Sequence, residues 1–451
     1  MGDLFGTDGI RGVANQYPLD CETALKAGRA IAAFFNEKNK RTGRYLIGYD
    51  TRVSGSMLAS AVAAGICSMG SDVWMAGIIP TPGVACLTAQ GTFDAGIVVS
   101  ASHNPYTDNG IKLFNGDGFK LSDKDEHTIE ASILESRPLY EKSMAIQKTG
   151  TIQWLESALD EYSQFLRNCL ATGYSLNGLK LVVDCSNGAA STIAPKLFQD
   201  LGAEVISLFS EPDGVNINAD CGSQHPETLA ACVVAEGANI GLAFDGDADR
   251  LIVVDEKGEI LSGDRIMAIC ARWMQERGTL KKSMVVSTVM SNMGFDVALK
   301  EMGIDLKKTG VGDRYVMAEM VKSGAVLGGE DSGHLIFLDQ HTTGDGMLAA
   351  LNVLAAMRAS KKTLSELAAV MTVYPQCLIN VDVRSKPALD SLDALTRAIE
   401  DAEKQLGDNG RVLVRYSGTQ PQCRVMVEGS TQEITEALCQ KLADVVAQQL
   451  R

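Results

Sequence analysis

The chain has 451 residues, of which 45% are hydrophobic and 22% are charged, and it carries a formal net charge of −15. This composition is typical of a globular protein of about three domains, and its acidity argues against binding to nucleic acid or anionic membranes, which favour a basic surface. The eleven cysteines form no Cys-x-x-Cys pair and the sequence shows no secretory leader or membrane span, so we expect a cytoplasmic protein.

The first 150 residues alternate between helical and strand-like patterns. In chain order these predict a helix at 22–37, a strand at 44–48, a helix from the N-cap Ser54 to Met69, and strands at 72–75 and 95–99. Such an alternation predicts a mainly parallel sheet covered by helices.

The same kind of pattern restarts twice. An amphipathic helix is predicted at 151–170, followed by strands at 179–183, 204–208 and 240–244 and a helix at 227–236. The third run has strands at 251–254, 284–288 and 305–309, with a Lys257-Gly258 hairpin turn, and helices at 264–276, 295–302, 313–322 and 346–359.

The tail differs from the three units before it. Its patterns predict strands at 377–383, 412–415 and 423–427 and helices at 389–406 and up to 450. We therefore predict an α/β protein with three similar mixed or parallel α/β domains and a smaller C-terminal α+β domain around a central cleft, with boundaries at 1–150, 151–252, 253–367 and 368–451.

Chemistry-bearing residues follow the strand at 95–99. The sequence continues through Ser102, His103 and an Asn-Pro turn, and Lys112 comes ten positions after the serine. A serine that carries a phosphoryl group needs an exposed strand end, nearby cations and a group that moves its proton. Taken alone, the same residues are also common in an ordinary polar turn.

Three carboxylates at alternate positions follow the strand at 240–244, namely Asp245, Asp247 and Asp249, and Arg250 comes next. In extended backbone these carboxylates share one face, where three like charges are costly without a cation. Hard oxygen ligands suit Mg²⁺, so the segment predicts a magnesium site rather than an acidic surface turn.

Four further segments are candidate ligand-binding loops, although a segment of this kind taken alone could be an ordinary glycine-rich or polar turn. Glu330 and Ser332 alternate in a glycine-rich stretch that ends at His334, an arrangement suited to sugar hydroxyls. The residues Arg415, Ser417, Gly418, Thr419 and Arg424 resemble an anion cradle. The third segment is the glycine-rich start, with Thr7 and Arg11, and a turn with Gly310 and Asp313 could close over a ligand.

These segments, in this order, resemble the α-D-phosphohexomutase family over the whole chain. The resemblance rests on Phe5-Gly-Thr-Asp-Gly-Ile-Arg-Gly12, the serine loop at 98–105, Asp245-Gly-Asp-Ala-Asp-Arg250, Gly328-Gly-Glu-Asp-Ser-Gly-His334 and Arg415-Tyr-Ser-Gly-Thr419. It implies four consecutive domains and a phosphoserine enzyme that interconverts hexose monophosphates through a 1,6-bisphosphate.

The resemblance also implies the residue roles. The catalytic set would be Ser102 as phosphoryl carrier, Lys112 as candidate proton acceptor, and Arg250, His103 and Arg11; Mg²⁺ would be held by Ser102, Asp245, Asp247 and Asp249. The substrate-binding set would be Thr7, Gly310, Asp313, Glu330, Ser332, His334, Arg415, Ser417, Gly418, Thr419 and Arg424. A hexose or hexosamine 1,6-bisphosphate would serve as activator, and the resemblance is consistent with a homodimer.

Within the family, the resemblance favours a hexosamine phosphate as substrate. We hypothesise that a carboxylate such as Asp313 or Asp331 selects the ammonium group of this sugar. Glucose or mannose phosphates remain the alternative within the family, and a catalytically weak sugar-phosphate binder is the alternative outside it. A phosphatase with an aspartate nucleophile would need Asp-x-Asp where the chain has Ser102.

Overall fold

A computed structural model describes residues 4–6, 8–144, 148–171, 173–417 and 421–450. The chain divides into two compact units, Met1–Val289 with Lys307–Ala368 and Met290–Leu306 with Ala369–Arg451. Among the described residues, no helix is both long enough and apolar enough to cross a membrane.

The first sheet of unit 1 has seven strands, and five helices belong to the same part of the chain. The strands are β1 Phe5–Gly6, β2 Gly9–Val13, β3 Arg44–Tyr49, β4 Asp72–Ile78, β5 Ala95–Val99, β6 Asp108–Asn115 and β7 Ile152–Trp154. The helices are α1 Cys21–Asn39, α2 Gly55–Ser68, α3 Thr81–Gln90, α4 Asp123–Leu134 and α5 Ser136–Met144. The strand order is β1-β2-β6-β5-β3-β4-β7, parallel from β5 to β7 and antiparallel from β5 to β1.

Local packing explains why the helices cover this sheet as they do. Helices α1 and α2 cross so closely that a Cβ atom on Gly28 would overlap the carbonyl oxygen of Val62, so only glycine fits there. Ser54 precedes α2 as predicted, but its side chain makes no capping bond to the helix. Its hydroxyl accepts instead from Asn109 Nδ2 at 2.8 Å, which ties the helix to β6.

The helix predicted at 151–170 is wrong in its first part. Residues 152–154 form β7, which pairs in parallel with β4 through Val73 and Ile152, and the helix α6 covers only Ala158–Asn168. The amphipathic pattern is real, but the free backbone edge of β4 offers the first residues hydrogen bonds that a helix start lacks.

Two further sheets complete unit 1. The second contains β8 Lys180–Asp184, β9 Glu204–Leu208, β10 Ile240–Phe244, β11 Leu251–Asp255 and β12 Ile260–Leu261, with helices α7 Ala194–Asp200 and α8 Glu227–Glu236. The third contains β13 Met284–Thr288, β14 Asp305–Thr309, β15 Leu327–Gly329 and β16 Leu335–Phe337, with helices α9 Gly263–Glu276, α11 Asp313–Ser323, α12 Gly346–Ser360 and α13 Leu364–Ala368. Their strand orders are β12-β11-β10-β8-β9 and β14-β13-β15-β16.

A buried histidine ties the loop after β16 to α3. The backbone N–H of Thr342 donates to His341 Nδ1 at 2.7 Å, so Nε2 carries the proton and donates to the carbonyl oxygen of Pro82 at 3.0 Å. Burial lowers the pKa of His341 to about 4, and burial raises the pKa of the neighbouring Asp345 to about 6. His341 is therefore a neutral structural residue at pH 7.

Unit 2 is a smaller α+β fold. It contains α10 Met293–Glu301, β17 Gln376–Asp382, α14 Asp393–Leu406, β18 Arg411–Tyr416, β19 Gln422–Glu428 and α15 Gln432–Leu450. The three strands form an antiparallel sheet in the order β17-β19-β18. Helix α10 joins this unit because Glu428, fully buried and paired with Arg411 at 2.6 Å, accepts the N–H of Met293 at 2.9 Å.

The predicted fold class is confirmed, since three α/β sheets are followed by a smaller α+β domain. What the patterns did not predict is the antiparallel edge of the first sheet, β1, β2 and β6, and the helices α3, α4, α5 and α13. The β6 sequence, Asp108–Asn115, begins with a polar Asp-Asn-Gly turn motif, which masks its strand character.

Candidate active site

Ser102 lies in a turn just beyond β5, the central strand of the first sheet. It is 1% exposed and has a backbone φ of +54°, a left-handed conformation that is uncommon outside glycine. The Ser102 N–H donates to Ser100 Oγ at 2.9 Å. A strained turn of this kind often marks a functional position.

A fully buried arginine holds this turn in place. Arg52 follows β3, the parallel neighbour of β5, and donates to the carbonyl oxygens of Ser102 at 2.9 Å, Asn104 at 2.8 Å and Pro105 at 2.9 Å. Its Nε donates to Asp50 Oδ2 at 3.0 Å. The planar guanidinium thus fixes three carbonyl groups of the serine loop at once.

Three buried carboxylates converge on the serine. Ligand atoms of Asp245, Asp247 and Asp249 all lie within 4.8 Å of one another, and Ser102 Oγ donates to Asp245 Oδ2 at 2.6 Å. From the alternation of the aspartates we expected an extended segment, and this expectation is wrong. Ala248 has a φ of +59°, so a turn rather than a pleat brings the carboxylates together.

The charges of this group call for a cation. Burial, then Asp249 and Asp247, raise the pKa of Asp245 well above its usual range, because like charges in a buried site oppose ionisation. Within the described part of the chain, Asp247 Oδ1 and Asp249 Oδ1 are buried without a hydrogen-bond partner. These hard oxygen donors fit a divalent cation such as Mg²⁺.

Lys112 on β6 is buried against the same carboxylates. Its Nζ lies 2.8 Å from Asp247 Oδ2, 3.2 Å from Asp8 Oδ2 and 3.6 Å from Asp249 Oδ2. Burial alone would lower the pKa of the Lys112 ammonium, but these three carboxylates outweigh it and the pKa lies above its usual range. The ammonium form of Lys112 can stabilise charge on a phosphoryl group. Its role as proton acceptor stays a prediction, since a cation bound by the same carboxylates would weaken their hold on its proton.

His103 has the opposite character. Its Nδ1 lies 3.3 Å from Ser102 Oγ, and burial, then the charges of Arg250 and Arg11, lower its pKa to about 4. The imidazole is therefore neutral at pH 7. A neutral imidazole can accept a proton, but a base with so low a pKa is weak at pH 7.

Two arginines flank the carboxylates. Arg250 Nε lies 3.9 Å from Asp245 Oδ2. Arg11 Nη2 pairs with Asp8 Oδ2 at 2.5 Å, and Arg11 Nη1 donates to the carbonyl oxygen of Ala101 at 3.4 Å. Both guanidinium groups can offer donors to phosphoryl oxygens near the serine.

The hairpin between β15 and β16 brings the predicted sugar-binding residues to this site. Glu330 Oε1 accepts the N–H of Gly312 at 3.0 Å, and His334 Nδ1 lies 3.6 Å from Asp249 Oδ1. Ser332 Oγ is buried and has no hydrogen-bond partner among the described residues. The hairpin thus places a buried hydroxyl without a partner among the described residues next to the carboxylate group.

Asp313 begins α11 and contacts the same hairpin. Its Oδ2 lies 3.4 Å from His334 Nε2 and 2.5 Å from Lys120 Nζ. Gly310 is exposed in the loop before this helix. The structure therefore places Asp313 in the site, with its charge paired to Lys120.

The predicted anion cradle belongs to unit 2. Arg415 on β18 and Arg424 on β19 are direct cross-strand partners, and burial, then Arg424, lower the pKa of Arg415. Arg424 Nε is buried without a hydrogen-bond partner in the part of the chain that the structure describes, and the nearby Ser417 carbonyl oxygen accepts from Lys386 at 2.6 Å. Two facing guanidinium groups favour an anionic ligand. The predicted residues Thr7, Gly418 and Thr419 lie outside the described residues.

Sequence reasoning missed three residues of the site. Arg52 could have been found, because it closely follows the strand predicted at 44–48 and strand ends in α/β sheets present side chains to ligands. Asn218, whose amide donates to the Ser102 carbonyl oxygen at 2.9 Å, and Lys120 gave no sequence signal, because only the fold brings their loops to the serine.

Comparison with known proteins covers nearly the whole chain. Four family models match in order, each described as a phosphoglucomutase/phosphomannomutase domain: alpha/beta/alpha domain I at residues 2–139, domain II at 160–258, domain III at 262–374 and the C-terminal domain at 378–445. Curated relatives named phosphoglucosamine mutase include those of Syntrophus aciditrophicus, 53% identical over 450 residues with all of both chains covered, and Syntrophobacter fumaroxidans, 52% identical over 446 residues with 99% of each covered.

Solved structures share the fold. A phosphoglucomutase/phosphomannomutase family protein from Burkholderia thailandensis has a TM-score of 0.79 at 26% identity and covers 98% of this chain and 96% of its own. The Aspergillus fumigatus N-acetylphosphoglucosamine mutase, solved with GlcNAc-6P and magnesium, has a TM-score of 0.70 at 17% identity and covers 100% and 96%. With the serine, the carboxylate group and the four matched domains in place, the chain belongs to the phosphoglucomutase/phosphomannomutase family, whose members are α-D-phosphohexomutases.

Proposed function

We propose that the chain is a phosphoglucosamine mutase, which interconverts glucosamine 6-phosphate and glucosamine 1-phosphate through a phosphoserine and a hexosamine 1,6-bisphosphate. The observation that carries the chemistry is the Ser102 hydroxyl, bonded at 2.6 Å to one of three buried carboxylates. The names of full-length relatives that are 51–53% identical support the amino-sugar substrate.

In this proposal the phosphoryl group moves from Ser102 Oγ to the free hydroxyl of the hexosamine monophosphate. The P–Oγ bond breaks as the new P–O bond forms, and the proton of the sugar hydroxyl passes to a base, for which Lys112 is the first candidate and His103 the second. The leaving Ser102 oxygen takes up a proton in return. The bisphosphate then reorients, and its other phosphoryl group returns to Ser102. Lys112, Arg250 and Arg11 stabilise the charge on the moving group, since phosphoryl transfer depends on positioning and electrostatics.

Asp245, Asp247 and Asp249, with an oxygen of the phosphorylated Ser102, are the residues that would hold Mg²⁺. When bound, the ion neutralises charge on the phosphoryl oxygens. The carboxylates themselves keep the Ser102 hydroxyl oriented, through the bond to Asp245.

The remaining residues bind the sugar phosphate. Glu330, Ser332 and His334 hold sugar hydroxyls, and Arg415, Ser417, Gly418, Thr419 and Arg424 hold the phosphate that does not react. Thr7, Gly310 and Asp313 complete the proposed substrate-binding set. We also propose a hexose or hexosamine 1,6-bisphosphate as activator, a cytoplasmic location and a homodimer.

The test is a comparison of kcat/KM for glucosamine 1-phosphate, glucose 1-phosphate and mannose 1-phosphate, with Mg²⁺ and a catalytic amount of hexose 1,6-bisphosphate. We expect at least ~10-fold preference for the amino sugar, which corresponds to about 1.4 kcal/mol of transition-state discrimination. A preference for glucose or mannose phosphate would keep the mechanism and replace the substrate. No turnover of any of the three would point to a sugar-phosphate binder.

A further inference from the structure

Six ionisable side chains of unit 1 form a closed ring next to Ser102. Carboxylates alternate with basic groups, and the members come from all three α/β sheets and the N-terminal loop: Asp249, His334, Asp313, Lys120, Asp8 and Lys112. Five of these residues sit next to the serine, the metal-binding loop or the sugar-binding hairpin. Lys120 is the one member of the ring that has no catalytic or binding role in the proposed function.

Lys120 bridges the two carboxylates that flank it in the ring, those of Asp8 and Asp313. Its Nζ lies 2.5 Å from Asp8 Oδ1 and 2.5 Å from Asp313 Oδ2, and its side chain is 16% exposed. An isolated β-bridge to Phe114 fixes the Lys120 backbone against β6. Burial alone would lower the pKa of Lys120, but Asp313 and Asp8 outweigh it, so the ammonium is charged.

One arm of the ring reaches the cations around the serine. Asp8 binds Lys120 through Oδ1, whereas its Oδ2 contacts Lys112 at 3.2 Å and Arg11 at 2.5 Å. Both oxygens of this carboxylate are therefore engaged. Lys120 fixes the orientation of Asp8, and Asp8 in turn fixes Lys112 and Arg11.

The other arm reaches the sugar-binding hairpin. Asp313 Oδ2 contacts both Lys120 and His334 Nε2, and Asp313 begins α11 directly after Gly312, whose N–H donates to Glu330. A shift of Asp313 would therefore move the loop that contacts Glu330.

We propose that Lys120 is a positioning residue for phosphoryl transfer, which holds Lys112 through Asp8 and His334 through Asp313. This inference rests on the proposed function, because it needs a phosphoryl transfer at Ser102. Without the ammonium, two carboxylate oxygens that contact the same nitrogen would face each other in a buried site and repel. Both arms of the ring would then relax, although Lys120 itself touches neither serine nor substrate.

The experiment compares Lys120→Met with the wild type and with Lys124→Met, which removes an exposed lysine on α4. We expect kcat to fall about 10²-fold in Lys120→Met, because a displacement of about 1 Å at a phosphoryl-transfer site can have that effect, and KM to rise as the loop before Asp313 moves. Lys124→Met should match the wild type. Kinetics are normalised to the phosphoserine content measured by intact mass, and far-UV circular dichroism checks that each variant is folded.

Two further variants separate positioning from simple structural support. Lys120→Arg keeps the charge and should restore most of kcat. Asp313→Asn, with and without Lys120→Met, completes a double-mutant cycle, in which any effect of Asp313 on substrate binding is common to both variants. Lys120→Met should lower kcat about 10-fold less in the Asp313→Asn background than in the wild type, a coupling in the range measured for contacting residues. If Lys120→Met does not fold, Lys120→Arg carries the comparison.

The proposal is overturned if Lys120→Met keeps kcat and KM within about 3-fold of the wild type while its melting temperature falls, because Lys120 would then only support the fold. It is also overturned if Lys120→Met lowers kcat by the same factor in the Asp313→Asn background as in the wild type. Each enzyme is assayed with glucosamine 1-phosphate and with glucose 1-phosphate. If the wild type turns over only the glucose phosphate, the substrate proposal fails while the Lys120 comparison is read on that substrate; if it turns over neither, both fail.

Discussion

Arg52→Lys tests how far the serine loop depends on one buried guanidinium. The Arg52 side chain donates four hydrogen bonds, one to the Asp50 carboxylate and one each to the carbonyl oxygens of Ser102, Asn104 and Pro105. A lysine keeps the charge but offers its donors from one point, so it cannot span the positions that Nε, Nη1 and Nη2 occupy. We expect it to keep two of the four bonds.

The magnitude follows from the lost bonds. A hydrogen bond with one charged partner contributes about 1.5 kcal/mol or more, so two lost bonds weaken the ordered loop by about 3 kcal/mol. This amount corresponds to about 10²-fold. We therefore expect kcat/KM for glucosamine 1-phosphate to fall about 10²-fold, with the far-UV circular dichroism spectrum unchanged.

The matched control is Arg44→Lys, because Arg44 lies on the same strand, β3, and is exposed. It should keep kcat/KM within about 2-fold of the wild type, as surface substitutions usually do. If Arg52→Lys also stays within about 3-fold and is phosphorylated on Ser102 to the same extent, the argument that Arg52 orders the loop is refuted.

Three further predictions concern the metal, the phosphate and pH. Mg²⁺ at 100 times its Kd should stabilise the wild type by about 2.7 kcal/mol against urea relative to EDTA, and Asp247→Asn should lose this effect whereas the exposed Asp123→Asn keeps it. Arg424→Met should raise KM for glucosamine 1-phosphate about 10²-fold with little change in kcat, because it removes a guanidinium contact that substrate and transition state share; an unchanged KM would argue against the anion cradle. His341 has a folded pKa of about 4, below its unfolded value of about 6.5, so its contribution of about 3 kcal/mol is present above pH 6.5 and is lost as pH falls towards 4. The urea midpoint should therefore fall less steeply over this interval in His341→Gln than in the wild type or in His127→Gln, which changes an exposed histidine, and parallel profiles would contradict the assignment.

Local patterns predicted most strands and helices because the apolar residues of each element recur with the spacing of a single type of secondary structure. The strand at 240–244 and the helix at 346–359 are apolar runs whose bounds match β10 and α12 closely, since buried elements of α/β domains have few polar residues to blur the signal. The helix prediction was wrong at 152–154 because the backbone of this segment pairs with β4, which is far away in the sequence. Such pairing overrides a local preference and leaves no trace in the segment itself.

The candidate site shows the same division. Ser102 and the three aspartates were found because each follows an apolar strand, and strand ends in α/β sheets present side chains to ligands. The aspartates do not lie on one face of an extended strand, since Ala248 turns the backbone. Their short spacing alone keeps the three carboxylates close together.

The sequence by itself determined the fold class, the order of the four domains, the candidate nucleophilic serine and the carboxylates proposed to bind a cation, because these depend on hydrophobic periodicity and on residue types within a few positions of one another. Only the tertiary structure decided which charges neutralise which. Lys112 is paired with Asp8, Asp247 and Asp249, His103 lies 3.3 Å from the Ser102 hydroxyl oxygen, and Lys120 closes a ring with Asp313 across 193 residues of chain. Protonation state and position depend on burial and on distances between remote segments, and those distances exist only in the folded chain.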